Sequence, residues 1–113
     1  MPDWAILKND LMIQEVVMQI TKTVNGTEVT FALEGWLDTL AADDLKAELD
    51  GLEEGIDHLV FDFSDLEYIS SSGVRQIVAA YKKVDGRMVV KNVSSGIMSI
   101  FKATGIDRKI SFE

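Results

Sequence analysis

The sequence predicts an α/β domain: a mixed, mostly parallel β-sheet with an antiparallel hairpin at its start and α-helices covering it. Two segments of alternating apolar and polar residues flank Asn25-Gly26, and apolar runs of strand character recur over 58–64 and 88–93. Segments with helical spacing lie between these runs. Strand–helix–strand alternation implies right-handed crossovers between parallel strands. The predicted order is therefore β-β-α-β-α-β-α, followed by a short edge strand over 110–112.

The whole chain, residues 1–113, is predicted to be one domain, because its length lies within the usual range of a single compact domain. Its 47% of hydrophobic residues supply a core without disulfide or metal staples. Residues 1–12 show no clear hydrophobic period, so we expect them to form a loosely ordered N-terminal extension.

The hairpin is predicted from apolar residues at every second position on both sides of Asn25-Gly26. This pair is favoured in tight hairpin turns, whose central residues need positive φ. Period-two alternation gives each strand one apolar and one polar face. The apolar positions are Val16, Met18 and Ile20 in the first strand and Val29, Phe31 and Leu33 in the second.

Three helices are predicted from apolar residues at helical spacing, with capping residues at their starts and glycines after their ends. Asp43 and Asp44 suit the positive end of the first helix, and Lys82 and Lys83 suit the negative end of the second. The start and stop signals are Thr39 and Gly55 for the first helix, Gly86 after the second, and Ser94 or Ser95 and Gly105 for the third.

The apolar run over 58–64 is nearly continuous, which is typical of a strand buried on both faces. A second buried strand is predicted over 88–93. The residues expected to be mostly buried are Leu45, Leu49, Leu59, Phe61, Phe63, Val74, Ile77, Val78, Val89 and Ile100.

Composition excludes several kinds of site. Because the chain has no cysteine, it has no disulfide framework, zinc–cysteine site, iron–sulfur cluster or thiol nucleophile. Its one histidine, His58, leaves little for metal chelation or imidazole chemistry. We therefore expect neither a metal nor a cofactor.

Targeting signals are also missing from the sequence. No apolar run approaches the roughly 20 residues that cross a bilayer, so we expect no direct membrane insertion. Residues 1–4 lack the basic-then-apolar order of a secretory signal. A cytoplasmic protein is expected.

The formal net charge of −8 argues against nucleic acid as a partner, because phosphate binding needs a positive surface. The charge is unevenly distributed: residues 1–57 carry −10 and residues 58–113 carry +2. This polarity suits protein partners of mixed charge, and the alternative is simply a solvated acidic helix.

Enzymatic motifs are not found. The sequence has no Gly-rich phosphate loop and no G-x-S-x-G nucleophile elbow. His58 begins a strand whose other end precedes the serines at 70–72, which places them about 20 Å apart at ~3.3 Å per residue. Asp62 and Asp65 could suggest acid–base or metal chemistry, but we favour a hydrogen bond from Asp62 that orders a loop, and for Asp38 a turn or cap. An enzyme is therefore the least favoured of the functional hypotheses, and no catalytic residue is expected.

The segment 70–73, Ser-Ser-Ser-Gly, joins a predicted buried strand to the second helix. Serines at such a junction accept hydrogen bonds from free helix N–H groups, and Gly73 allows close packing. The alternative is functional, because a phosphate added beside a helix amino end meets backbone donors and a favourable dipole. Both interpretations fit the residues.

The same segment also carries a family resemblance. Leu59-Val60-Phe61-Asp62-Phe63-Ser64 is followed by Tyr68-Ile69-Ser70-Ser71-Ser72-Gly73-Val74. These strings resemble the STAS-domain family, in particular the bacterial anti-sigma-factor antagonists, in which an apolar strand precedes Asp-Ser-Ser-Gly-Leu or Asp-Ser-Thr-Gly-Leu. The resemblance covers residues 14–112 and includes Gly35-x-Leu37-Asp38, Tyr81-Lys82-Lys83, Asn92-Val93-Ser94 and Phe101-x-x-Thr104-Gly105-Ile106-Asp107.

The resemblance implies a STAS-like regulatory binding module rather than an enzyme. In antagonists the serine at the position of Ser71 is phosphorylated by a partner anti-sigma factor that is also a serine kinase. The unphosphorylated form sequesters that kinase, and a serine phosphatase resets the switch. The family's Asp is Ser70 here, and Arg75 stands where a small residue is usual. The alternative is a constitutive STAS module in a signalling scaffold or a transporter-associated complex, without a phosphate switch.

The partner-binding surface is predicted at residues that follow strand ends, because these cluster at one end of the sheet, where α/β domains place ligands. Within it, Arg75 is expected to pair with a partner carboxylate. The predicted contact residues are Asp38, Ser70, Ser71, Ser72, Gly73 and Arg75.

Overall fold

The computed structural model describes residues 18–113, which form a five-stranded sheet and three α-helices. The sheet order is β1-β2-β3-β4-β5; the first pair is antiparallel and the other pairs are parallel, which confirms the predicted fold class. The predicted extension over 1–12 and the predicted strand residues Val16 and Val17 lie outside the described residues. The elements are β1 (Met18–Asn25), β2 (Glu28–Leu37), α1 (Thr39–Asp50), β3 (His58–Ile69), α2 (Ser71–Lys83), β4 (Met88–Lys91), α3 (Ser95–Thr104) and β5 (Ser111–Phe112).

The hairpin is confirmed, with its turn one residue later than the predicted centre. Asn25 pairs with Glu28, so the two-residue loop is Gly26-Thr27. Gly26 has φ +65°, and Thr27 does not adopt a positive φ. A positive φ at the first central position alone is typical of a II′ turn, which needs glycine there and accepts most residues next.

The helices all lie on one face of the sheet. Strands β2 to β5 are adjacent in chain order, so each right-handed crossover steps in the same direction and places its helix on the same side. Buried residues of all three helices accordingly join one cluster with the strands, as Leu45, Ile77 and Phe101 do with Phe31 and Phe61. The five phenylalanines contact one another in series across this cluster, from Phe31 to Phe112.

The prediction that the run over 58–64 is buried on both faces is wrong. Leu59, Phe61 and Phe63 are buried against the helices, whereas Val60 and Asp62 on the other face are only half-buried. No helix among residues 18–113 covers that second face, because every crossover is on the first. Seven of the ten residues predicted to be buried are buried; the three half-buried ones are Val78, Val89 and Ile100.

The predicted bounds of α1 need correction at both ends. Its N-cap is Asp38 rather than Thr39, and Asp43 and Asp44 lie beyond the first turn. The helix ends at Asp50, where the N–H of Gly51 bonds to the carbonyl of Ala47, and not at Gly55. For the other helices, the structure confirms the two lysines in the last turn of α2, selects Ser94 as the cap of α3 and places Gly105 after it at φ +77°.

Strand β3 continues to Ile69, five residues beyond its predicted end. Against β2, the register passes from Ala32↔Asp62 to Glu34↔Asp65 and then from Gly35↔Leu66 to Trp36↔Tyr68. Each step places one extra residue on β3, which is the definition of a β-bulge. Buried side chains consequently recur at 63, 66 and 69 instead of every second position, and this hides the strand from period-two analysis.

The two remaining strands follow the predictions with small changes. β4 ends at Lys91 rather than residue 93, because Asn92 adopts φ +60°, which turns the chain out of the ladder. β5 pairs with β4 at the sheet edge, as predicted for 110–112. No helix within residues 18–113 is long and apolar enough to cross a membrane.

We expect Phe61→Ala to lower the free energy of unfolding by about 3–5 kcal/mol, because it empties a fully buried site. The Phe61 ring lies 5.5 Å from that of Phe31 and 6.2 Å from that of Phe63, centroid to centroid. Denaturant unfolding measures the loss. Val60→Ala, on the uncovered face of the same strand, is the matched control and should cost about 1 kcal/mol or less. A loss below ~1 kcal/mol for Phe61→Ala contradicts this account of the core.

Candidate functional site

The amino ends of the three helices lie along the side of the sheet where the parallel strands have their carboxyl ends. Each helix follows the carboxyl end of a parallel strand: α1 follows β2, α2 follows β3 and α3 follows β4. Their N-caps accept hydrogen bonds from the backbone N–H three residues on, which confirms the predicted capping roles. These bonds are Ala41 to Asp38 Oδ1 at 2.9 Å, Gly73 to Ser70 Oγ at 3.0 Å and Ile97 to Ser94 Oγ at 3.3 Å.

The ends of β2 and β3 bring the first two caps to neighbouring positions. Leu37 pairs with Ile69, and the N–H of Ser70 donates to the carbonyl of Leu37 at 2.9 Å. Asp38 and Ser70 therefore follow equivalent points of adjacent strands, as the predicted clustering of strand ends requires. Because helix amino ends carry partial positive charge, this edge combines two such ends side by side.

Gly73 lets α2 start against the sheet. A Cβ at this position would lie 2.8 Å from Leu37 Cγ and 2.9 Å from Ile69 Cγ1, closer than carbon atoms can approach. Glycine is therefore needed here for close approach rather than for its backbone freedom. This close packing fixes the distance of residues 70–72 from the ends of β2 and β3.

The three serines differ in what their hydroxyls do. Ser70 Oγ is used in the cap, and Ser72 Oγ accepts a hydrogen bond of 3.2 Å from Arg75 Nη2. Ser71, the first residue of α2, is exposed, and its hydroxyl makes no hydrogen bond with another described residue. Arg75 is exposed, and its hydrogen bond to Ser72 turns the guanidinium toward the amino end of the helix.

The carboxylate of Asp62 has the ordering role predicted for it. Its Oδ1 accepts from Asn92 Nδ2 at 3.0 Å and from the N–H of Ser64 at 3.0 Å, which links β3 to the chain leaving β4. The hydrogen bond from Asn92, followed by that from Ser64, holds the pKa of Asp62 below its usual value. Asp62 and Asp65 do not share a site, since Asp65 lies beyond the first bulge.

His58 is remote from the serines, as predicted. It is exposed at the start of β3, whereas the serines follow the other end of that strand. Its Nδ1 lies 2.7 Å from Asp57 Oδ1, and this hydrogen bond lowers the pKa of Asp57. Among residues 18–113 there is no group of three or more metal-ligating side chains placed to hold an ion.

An exposed aromatic pair next to this edge is not evident from the sequence. Trp36 and Tyr68 are register partners whose ring centroids lie 5.3 Å apart, and they are 51% and 42% exposed. Tyr68 falls in the segment predicted as a loop, so nothing in the sequence pattern pairs it with Trp36. The detectable signal would have been the spacing of three between Phe63, Leu66 and Ile69.

Comparisons with known proteins agree on the fold. Residues 16–113 match the family model for the STAS domain. The anti-sigma factor antagonist SpoIIAA in its unphosphorylated form is 21% identical with a TM-score of 0.73, covering 85% of this chain and 87% of that one. Its phosphorylated form, described as a cell fate determinant of Bacillus, is 21% identical with a TM-score of 0.67, covering 85% and 90%. A sulfate transporter family protein from Wolinella succinogenes is 18% identical with a TM-score of 0.64, covering 80% of each chain.

We expect Gly73→Ala to destabilise the domain by about 1–3 kcal/mol, because the added methyl group collides with Leu37 and Ile69. Alanine is the better helix former, so helix propensity acts in the opposite direction. The control is Gly96→Ala in α3, where a Cβ meets nothing within 4 Å. That variant should be neutral or slightly stabilising in thermal unfolding. Equal changes in stability for Gly73→Ala and Gly96→Ala would contradict the close packing of Gly73 against Leu37 and Ile69.

Proposed function

The chain belongs to the STAS domain family, and from that premise we propose that it is a bacterial anti-sigma-factor antagonist that takes part in transcription regulation. In this proposal it sequesters an anti-sigma factor that is also a serine kinase, and phosphorylation at Ser71 ends the binding. The observation that carries the proposal is the exposed hydroxyl of Ser71 at the amino end of α2, which bonds to no other residue of 18–113. Solved antagonists with this fold include SpoIIAA in unphosphorylated and phosphorylated forms.

Ser71 is the best phosphate acceptor of the three serines on physical grounds. Ser70 Oγ is already engaged in the cap on α2, and Ser72 Oγ already accepts a hydrogen bond from Arg75, whereas the Ser71 hydroxyl bonds to no other described residue. Ser70 and Ser72 are also half-buried residues, whereas Ser71 is exposed. A kinase can therefore reach Ser71 without disturbing the helix start.

A phosphate on Ser71 is compatible with the fold. It brings about −1.5 to −2 charges at neutral pH, and the amino end of α2 offers N–H groups and a favourable dipole. Arg75 lies four residues on, the spacing at which helical side chains meet. The added charge therefore changes the surface without unfolding the helix.

The same charge weakens binding to the kinase. A partner that has just transferred the phosphate meets new repulsion at a partly desolvated contact. If that repulsion reaches about 2–3 kcal/mol, affinity falls roughly 30- to 150-fold, enough to release the partner. A serine phosphatase would restore the binding form, and the chain itself needs no catalytic residue. The proposed contact residues are Asp38, Ser70, Ser71, Ser72, Gly73 and Arg75.

The second candidate is a STAS module that binds its partner constitutively, in a signalling scaffold or with a transporter. The match to a sulfate transporter family protein of the same fold supports it. Ser70 in place of the acidic residue usual in antagonists supports it as well. The two candidate functions use the same proposed binding surface. They differ in whether the partner dissociates when ATP is added.

We expect a kinase-type anti-sigma factor from the same organism to bind the purified protein and, with ATP, to phosphorylate Ser71. Mass spectrometry locates the phosphate, and calorimetry measures the accompanying loss of affinity. Ser71→Ala should bind without being phosphorylated, whereas Ser72→Ala, the matched control, should still be modified. Tight binding that ATP leaves unchanged would assign the protein to the constitutive class.

We expect Ser70→Asp to speed the phosphorylation of Ser71, because a carboxylate beside the hydroxyl can orient it, whereas a neutral hydroxyl cannot. Asp caps helices about as well as Ser, so stability should change little. The initial rate of phosphate incorporation is the measurement. Ser70→Asn keeps the shape and the cap without the charge, and it should leave the rate near that of the wild type. Equal rates in the Asp and Asn variants would eliminate an effect of charge.

A further inference from the structure

The aromatic pair lies on the sheet face that the helices leave uncovered. Leu37 and Ile69, the next residues along each strand, are buried against α2. Because successive side chains of a strand alternate between faces, Trp36 and Tyr68 lie on the other side. The second bulge of β3 places Tyr68, rather than Glu67, beside Trp36. A large aromatic surface is thus held rigidly in solvent, two residues from Asp38 and three from Ser71.

A pair of carboxylates lies next to the aromatic pair. Glu34 and Asp65 are register partners at the first bulge, and both are exposed. In the described part of the chain, neither has a cation within ion-pair distance. Like charges directly opposite each other on neighbouring strands are destabilising. Within residues 18–113 no cation offsets this pair, so a cation supplied by a binding partner would be favourable here.

We infer that Trp36 and Tyr68 anchor the partner protein, and that the partner presents an apolar pocket bordered by Lys or Arg. Exposed Trp and Tyr side chains in fixed positions are the residues most often found at the energetic centre of protein interfaces. Because Glu34 and Asp65 are acidic, charge complementarity favours a partner whose pocket has basic residues at its rim. The inference rests on the proposed function in one respect, that the partner is the protein that reaches Ser71.

Charge argues against the two other possible occupants. In a symmetric dimer the same patch lies on both sides of the interface, so the interface would hold two acidic pairs and gain no cation from this patch. Residues 1–17 of the chain carry three acidic side chains and one basic one, the wrong sign for this surface. A separate, locally basic protein is the occupant that complements the patch.

The experiment begins with site-specific photo-crosslinking in the native cells. Trp36→benzoylphenylalanine samples the aromatic patch, Ser72→benzoylphenylalanine samples the proposed switch, and Val24→benzoylphenylalanine is the control. Val24 is an apolar residue as exposed as Trp36, at 50% against 51%, and lies on the hairpin. Mass spectrometry identifies each adduct, and the captured protein is then purified for titration.

The expected result is that positions 36 and 72 capture the same protein and position 24 does not. Trp36→Ala should then weaken binding of that purified protein about 30-fold or more, and Val24→Ala less than twofold. Trp36→Phe should recover most of the affinity. If the protein is a kinase, Trp36→Ala should raise the KM for phosphorylation of Ser71 while kcat stays unchanged, because the anchor does not touch the reacting group.

The outcomes separate the inference from the proposed function. If both positions capture one protein that is not a kinase, and Trp36→Ala weakens its binding, the proposed antagonist function is wrong and the anchoring role of Trp36 is supported. If the partner is the kinase but Trp36→Ala binds it normally, the anchor is wrong and the function stands. Capture at position 36 of a second copy, of residues 1–17 or of nothing overturns the anchor.

The acidic pair has a test in which stability and binding move in opposite directions. Glu34→Gln should raise the thermal unfolding midpoint, because it removes the repulsion with Asp65. It should also weaken partner binding about two- to fivefold and reduce the salt dependence of binding. A variant that loses affinity together with stability, or changes neither, removes the acidic pair from the interface.

Discussion

The handedness of three crossovers determines the architecture. Each connection from β2 to β5 is right-handed and moves to the next strand in the same direction, so α1, α2 and α3 must pack on one face. That face holds a single core with the phenylalanine series through it. The same constraint brings three helix starts to one end of the parallel strands and leaves the opposite face without a covering helix among residues 18–113. The location of the candidate site and the exposure of the aromatic pair both follow from it.

The candidate site joins two strand ends and a helix start around one hydroxyl that bonds to no other described residue. The ends of β2 and β3 set Asp38 and Ser70 as caps, and Gly73 holds α2 against Leu37 and Ile69. Within residues 18–113 the hydroxyls on either side of Ser71 are engaged in structural hydrogen bonds, whereas that of Ser71 is exposed and bonds to none of these residues. This is the arrangement that the proposed phosphate switch requires.

Much of the fold could be predicted from the sequence, because hydrophobic period and turn chemistry report on local structure. The hairpin, the alternation of strands and helices, and the caps at Ser70 and Ser94 all leave such local signals. The side on which helices pack leaves none, since a run such as Leu59-Val60-Phe61 is compatible with one or two covered faces. The bulges of β3 could not be predicted for a related reason, because the extra residues break the period-two pattern by which strands are recognised. Trp36 and Tyr68 meet only because of that hidden register, so their pairing could not be predicted.

The two bulges also bear on how chains of this fold can vary in length. Each bulge places one residue of β3 outside the ladder with β2, so losing that residue would restore regular pairing without re-pairing the strand beyond it. Insertions and deletions elsewhere in a central strand turn every following side chain to the wrong face. The stretch between Phe63 and Ile69 is therefore a place where evolution can add or remove a residue and still deliver the start of α2 to the same point. A change of one residue within that stretch would alter a bulge and leave the pairing on either side in place.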